Sequence, residues 1–232
     1  MHITESVAVA DGVDRATGAG FAAEVARVLG DPRGWRKYGY TFQEVPGPRD
    51  PKSRGPGPAA GPILIRLAPA AETDRRCGGA GRGLSCWVPR RREININERN
   101  WTTGAASGLA PERYHNYVIS HEVGHALGLD HAACPLAECA RRGLDPCPAS
   151  VMQQMTKGGP AIAPCVANDW PLDFEPGFGA GPRLGPRAVL MIVAALIAVV
   201  LAVLSHLVHR LILARVNLPA TIRPESGFSQ RR

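Results

Sequence analysis

With 232 residues the chain has room for one medium domain plus an appendage, or for two small domains. Its 45% apolar content excludes wholesale disorder, although 26 glycines and 21 prolines predict many turns. The net charge of +7 does not mark a nucleic-acid binder: residues 183–232 carry seven arginines against one glutamate, which leaves about +1 for residues 1–182. No basic stripe interleaved with aromatics stands out, so nucleic acid is not an expected partner.

The first residues, MHITESVAVADGVDR, lack the basic start and apolar run of a secretory signal peptide. Residues 3–9 read as a strand. Residues 18–29 (GAGFAAEVARVL) read as an amphipathic helix with Phe21, Val25, Val28 and Leu29 on one face, ended by Asp31 and Pro32. Residues 40–45 alternate as a strand does, and the proline- and glycine-rich residues 46–62 read as a mobile loop. Residues 63–67 form a short apolar strand, Arg90, Arg91 and Arg92 a solvated turn, and the strict alternation of Glu93–Asn97 (EININ) an edge or half-buried strand. Pro111 and Glu112 suit the first turn of a helix that runs to about Leu127, where Gly128 is fitted to end it. Beyond His131 the helical periodicity is lost, and the stretch to Pro171 reads as loops held by cysteines.

Residues 176–187 are a Gly/Pro linker. Residues 188–208 read as one transmembrane helix: from Ala188 to Leu204 every residue is apolar, without the polar stripe a core helix would show, and about 20 residues cross the hydrocarbon layer. Residues 209–232 are a basic tail. Arg210, Arg215, Arg223, Arg231 and Arg232 follow the apolar segment, whereas only Arg183 and Arg187 lie in the linker before it. This bias places the tail in the cytoplasm and the preceding domain outside the cell membrane. The six cysteines all fall between Cys77 and Cys165, an even number that suggests disulfides and an oxidising compartment, with free buried thiols as the alternative. No CxxC pair is present to favour a cysteine-ligated metal.

The chemistry is concentrated in HEVGHALGLDH, residues 121–131. His121 and His125 are one turn apart on a helix and can share one metal ion. Glu122 lies beside the first ligand and can reach a metal-activated water without itself binding the metal. Gly128 turns the chain sharply enough to bring His131 back as a third ligand, which leaves a position open for chemistry. Five fixed identities in eleven positions arise by chance in a chain of this length with a frequency of about one in 10⁵, so ordinary core histidines are a poor explanation. Asp130 reads either as an orienter of a ligand or as a cap on the turn.

The pattern HExxHxxGxxH resembles the metzincin clan of zinc metallopeptidases. More closely, YVISHEVGHALG, SVMQQMTKG and NDWP resemble an uncharacterised actinobacterial metallopeptidase-like family with HEVGHxLGxxH and a VMxQQT turn. The resemblance implies Zn²⁺ as cofactor and an α+β zincin domain over residues 1–175: a twisted, mostly parallel sheet with an antiparallel edge strand, a backing helix, the metal helix and an irregular C-terminal part. It also implies a methionine turn beneath the metal. Met152 in Ser150–Val151–Met152 is the candidate, although a core-filling role suits it equally, and Met155 is the other methionine nearby. Residues 137–148 look like an insertion carrying Cys139 and Cys147. Matching the other four cysteines to the family then implies the pairs Cys77–Cys86, Cys134–Cys165 and Cys139–Cys147.

The implied activity is peptide hydrolysis at the membrane on a peptide or protein substrate, with Glu122 as general base and Glu93–Asn97 as the edge strand that pairs with an extended substrate. Tyr114 and Tyr117, on the same helix but upstream, do not qualify from sequence as oxyanion donors. The competing class is a zinc-stabilised module that binds a peptide or cell-envelope ligand without cutting it; a retained Glu122 speaks against it.

Overall fold

Strand β1 (His2–Val9) begins a five-stranded sheet in the computed structural model, which describes residues 1–46, 61–78, 83–159 and 162–177, with Leu204 and His206 beyond. The chain divides into two units, Met1–Ala180 and Gly181–Arg232, and this fold belongs to the first. Nearly all of the loop at 46–62, most of the linker, and the span and tail from 188 onward, Leu204 and His206 apart, lie outside the described residues. Among the described residues no helix is long and apolar enough to cross a membrane.

After β1 come the helices α1 (Arg15–Ala19) and α2 (Phe21–Gly30), then strands β2 (Thr41–Glu44) and β3 (Ile63–Ala68), helix α3 (Ala70–Arg76), and strands β4 (Cys86–Val88) and β5 (Glu93–Asn97). Helices α4 (Glu98–Thr103), α5 (Pro111–Ala126) and α6 (Leu136–Arg142) follow. The sheet order is β2-β1-β3-β5-β4; all neighbours are parallel except β4, which runs antiparallel to β5. The fold class is therefore mixed α+β.

The helix expected over residues 18–29 is two helices. Asp14 accepts from Thr17 N at 2.9 Å and starts α1 early, and the chain restarts at Phe21 after Gly20. The apolar face of α2 is the expected one: Phe21, Val25, Val28 and Leu29 are all buried, between the sheet and α5. Every residue of β3 is buried, as suits a central parallel strand covered on both faces. Its one charge, Arg66, is held at 2.6 Å by Glu72, and Arg76 links Glu72 to Glu93.

Glu93–Asn97 is not an edge strand: β5 lies between β3 and β4, and all five residues are buried. Ile94 and Ile96 face the main core, whereas Glu93, Asn95 and Asn97 lie on the other face, which is covered too. Alternation reports that two faces differ in polarity, not how many strands flank the segment. The edge belongs to β4, which is three residues long and showed no alternation.

Glu5 is buried, with Oε2 unpartnered, and shares a register position with Glu44 of β2. Burial, and to a smaller degree the charge of Glu44, raise its carboxyl to about 7, against an opposing backbone N–H of Gln43. A folded-state pKa above the ordinary value means that its contribution is present below about pH 4.5 and is lost as pH rises through about 7. Between pH 5 and 8 the Glu5→Gln variant should therefore gain about 1–2 kcal/mol relative to the parent, discounted for solvent screening. Thermal unfolding at the two pH values measures this; an identical pH slope in both proteins would contradict it.

Candidate metal centre

Helix α5 starts with Pro111 at its first position and Glu112 in its first turn. It ends in a Schellman turn: Gly128 N donates to His125 O at 3.0 Å and Leu129 N to Gly124 O at 3.0 Å, with Gly128 left-handed at φ 95°. This is the sharp turn expected of Gly128, and it does two things. It brings His131 back over the helix end, and it turns the Leu129 carbonyl toward His125, whose Nδ1 lies 2.7 Å from it.

His121 Nδ1 stands 2.8 Å from the Val151 carbonyl. A carbonyl only accepts, so both bonds require a proton on Nδ1 and leave the Nε2 lone pairs free. Nε2 of His125 and Nε2 of His131 are 3.1 Å apart, and one ligand atom from each of the three histidines lies within 4.8 Å of the others. Nitrogens bound at about 2.0–2.1 Å to a tetrahedral metal stand about 3.3 Å apart, so this donor set fits such an ion. Burial first, and the neighbouring His125 next, push His121 down to about 3, and burial and His125 lower His131 as well. The site thus favours neutral imidazole, the form that binds metal.

Glu122 is buried beside these rings, with Oε2 unpartnered. Burial raises its carboxyl to about 8, opposed by the backbone N–H of Trp87. An orphaned oxygen on a buried acid next to three converging imidazoles is what an additional positive centre would relieve. These residues open on a cleft of about 470 Å³. Edge strand β4, through Cys86 and Trp87, forms one wall, and Gln154, Thr156 and Lys157 form another.

Under α5 lies the turn Ser150–Val151–Met152. Met152 is fully buried, its sulfur packs against Gly124, and its carbonyl accepts from Ala132 N at 3.1 Å, next to His131. Met155 is also buried but sits further on, where its N–H donates to Tyr117 Oη at 2.9 Å. Tyr117 Oη in turn donates to Gln153 O, and Tyr114 Oη bonds Thr156; Tyr117 also lines the cleft. Asp130 is exposed, lines the cleft and places a negative charge near His131.

All six cysteines are in disulfides, in the pairs Cys77–Cys86, Cys134–Cys165 and Cys139–Cys147. The first ties the end of α3 to β4 in the cleft wall; the second ties the loop after His131 to the chain beyond Met152. The sulfurs of Cys134, Cys147 and Cys165 cluster, but their bonding leaves no thiolate for a metal.

Sequence reasoning overlooked β4, Gly124 and Glu175. For Gly124 a signal existed, since a glycine inside a helix costs about 1 kcal/mol and marks a close approach. Strand β4 is too short for a pattern, and a single acidic residue after NDWPLDF carries no signal at all.

Fold and site together define a mixed α+β domain with a three-histidine centre able to hold a metal ion. Residues 1–160 match the model of a family described as a protein of unknown function, DUF3152, and the chain belongs to that family. No curated protein and no solved structure matches it.

Proposed function

We propose that the protein is a zinc-dependent peptide hydrolase of metzincin type, anchored to the membrane by residues 188–208. The observation that carries this reading is one local arrangement: two imidazoles with their Nδ1 atoms bonded to carbonyls, a third from His131, and the buried carboxyl of Glu122 beside them, all at the floor of an open cleft. A closed structural site would need neither the cleft nor the acid.

His121, His125 and His131 would hold the zinc. When bound, the ion would supply Lewis acidity, lowering the pKa of a water and polarising a carbonyl. Glu122 takes the proton of the attacking water on its free carboxylate oxygen and delivers it to the leaving amine. Strand β4, rather than β5, offers its outer backbone edge to an extended peptide, and the Cys77–Cys86 bridge holds that edge in the cleft wall. Three disulfides suit an extracytoplasmic domain, in keeping with the arginine bias across residues 188–208. A protease applied to intact cells reaches the domain if this topology holds, and protection would reverse it.

The deciding experiment incubates the purified chain with a mixed peptide library, with and without chelator, followed by zinc add-back. Cleavage that chelator stops and zinc restores is expected. Zinc bound at one per chain with no cleavage would replace this reading with that of a binding module.

A further inference from the structure

We propose that Glu175 is a positioning residue of the metal centre, acting through the Ser150–Val151–Met152 turn. The proposal rests on the metal-site reading above and reaches beyond the residues that match the family, which end at 160.

Glu175 is completely buried, yet its carboxylate is fully engaged. One oxygen accepts from Ser150 Oγ and, at 3.3 Å, from Met152 N; the other accepts from Leu172 N at 2.7 Å. Its own N–H donates to Tyr38 Oη at 2.9 Å, and Tyr38 Oη donates to the Leu172 carbonyl. The carboxylate thus sits at the junction of the C-terminal segment and the turn.

From that turn, contacts lead to the metal helix and to the loop of the third ligand. The Val151 carbonyl holds His121 Nδ1 at 2.8 Å, the Met152 carbonyl holds Ala132 N beside His131, and the Met152 sulfur packs under Gly124. A carboxylate that fixes the residues on both sides of Val151 fixes the direction of its carbonyl, and through it the tautomer and orientation of His121. Burying an acid in a purely structural strap is costly, and Glu175 is indeed raised by its burial against the opposing bonds from Ser150 and the backbone. The site for which that cost is accepted is the turn beneath the metal.

The test measures zinc affinity by chelator competition on the full chain, for the parent, Glu175→Ala, Glu175→Gln, Ser150→Ala and a destabilising control, Val25→Ala, in the core on α2. Measurements are made where circular dichroism shows each protein folded. Glu175→Ala should weaken zinc binding by about 10–100-fold. Glu175→Gln, which keeps one acceptor, should restore part of the loss, and Val25→Ala should leave affinity unchanged. The visible spectrum of the cobalt-substituted protein should change for Glu175→Ala and not for Val25→Ala. If Glu175→Ala does not fold, Glu175→Gln and Ser150→Ala carry the comparison, each with a smaller loss in the same direction. A parent that binds zinc and variants that bind it equally well would overturn this proposal alone, as would an equal loss in Val25→Ala. A parent that binds no metal would overturn it together with the reading on which it rests.

Discussion

Glu122→Gln is expected to lower peptide hydrolysis by about 10²–10⁴-fold while one zinc ion per chain remains bound. The substitution preserves size and the ability to accept the Trp87 backbone N–H, so the floor of the cleft keeps its packing. What it removes is the basic oxygen beside the three imidazoles, the proposed acceptor of the proton of the attacking water. Hydrogen bonds to carbonyls occupy Nδ1 of His121 and of His125, and a bound metal would take their Nε2 atoms, so neither ring would replace it. Progress curves on a cleaved peptide, with zinc content measured on the same sample, test both halves of the expectation. Cleavage at the parent's rate would show that Glu122 is not the base. Loss of the metal along with activity would show instead that the carboxyl supports the ligands.

Gly124→Ala is expected to destabilise the protein by about 1–3 kcal/mol, although alanine is the better helix former by about 1 kcal/mol. A Cβ at this position would stand 2.3 Å from the Met152 sulfur and 3.0 Å from Cζ2 of Trp35. Neither neighbour can give way cheaply. The sulfur is mid-chain in a fully buried residue whose backbone is bonded on both sides, and Trp35 is fixed by its indole N–H to the Ser120 carbonyl at 2.9 Å. Relief requires α5 to lift from the turn, which lengthens the His121–Val151 bond and would loosen a metal held by His121. The melting temperature of the metal-free protein should fall by several degrees, with about 2–4 °C for each kcal/mol in a chain of this size, and zinc affinity should fall with it. A double-mutant cycle with Met152→Ala isolates the sulfur contact: in the Met152→Ala background the alanine at 124 should cost less, leaving the close approach to Trp35. A Gly124→Ala protein more stable than the parent would refute the packing argument.

The convergence of His121, His125 and His131 was readable from the chain alone because it is local. Two histidines four apart on one helix, a glycine suited to a left-handed turn and a third histidine three residues later need little from the rest of the molecule to converge. The apolar face of α2 and the central strand β3 were legible for a similar reason, since periodicity and continuous apolar runs report burial directly. The short helices α3 and α6 were not, because each buries a single residue and shows no stripe.

Other features were settled only by long-range contacts. Which strand forms the edge depends on β4 adding outside β5, and no pattern within Glu93–Asn97 could announce a neighbour that is three residues long. Of two buried methionines close together, Met152 lies under α5 because Gly124 leaves room for its sulfur, a fact of packing and not of spacing. Glu175, 44 residues beyond His131, reaches the turn only because Tyr38 and Leu172 fold the C-terminal segment back over it. The three-histidine cluster is thus written in eleven consecutive residues, whereas the support that aims its rings is assembled from distant segments brought together by the fold.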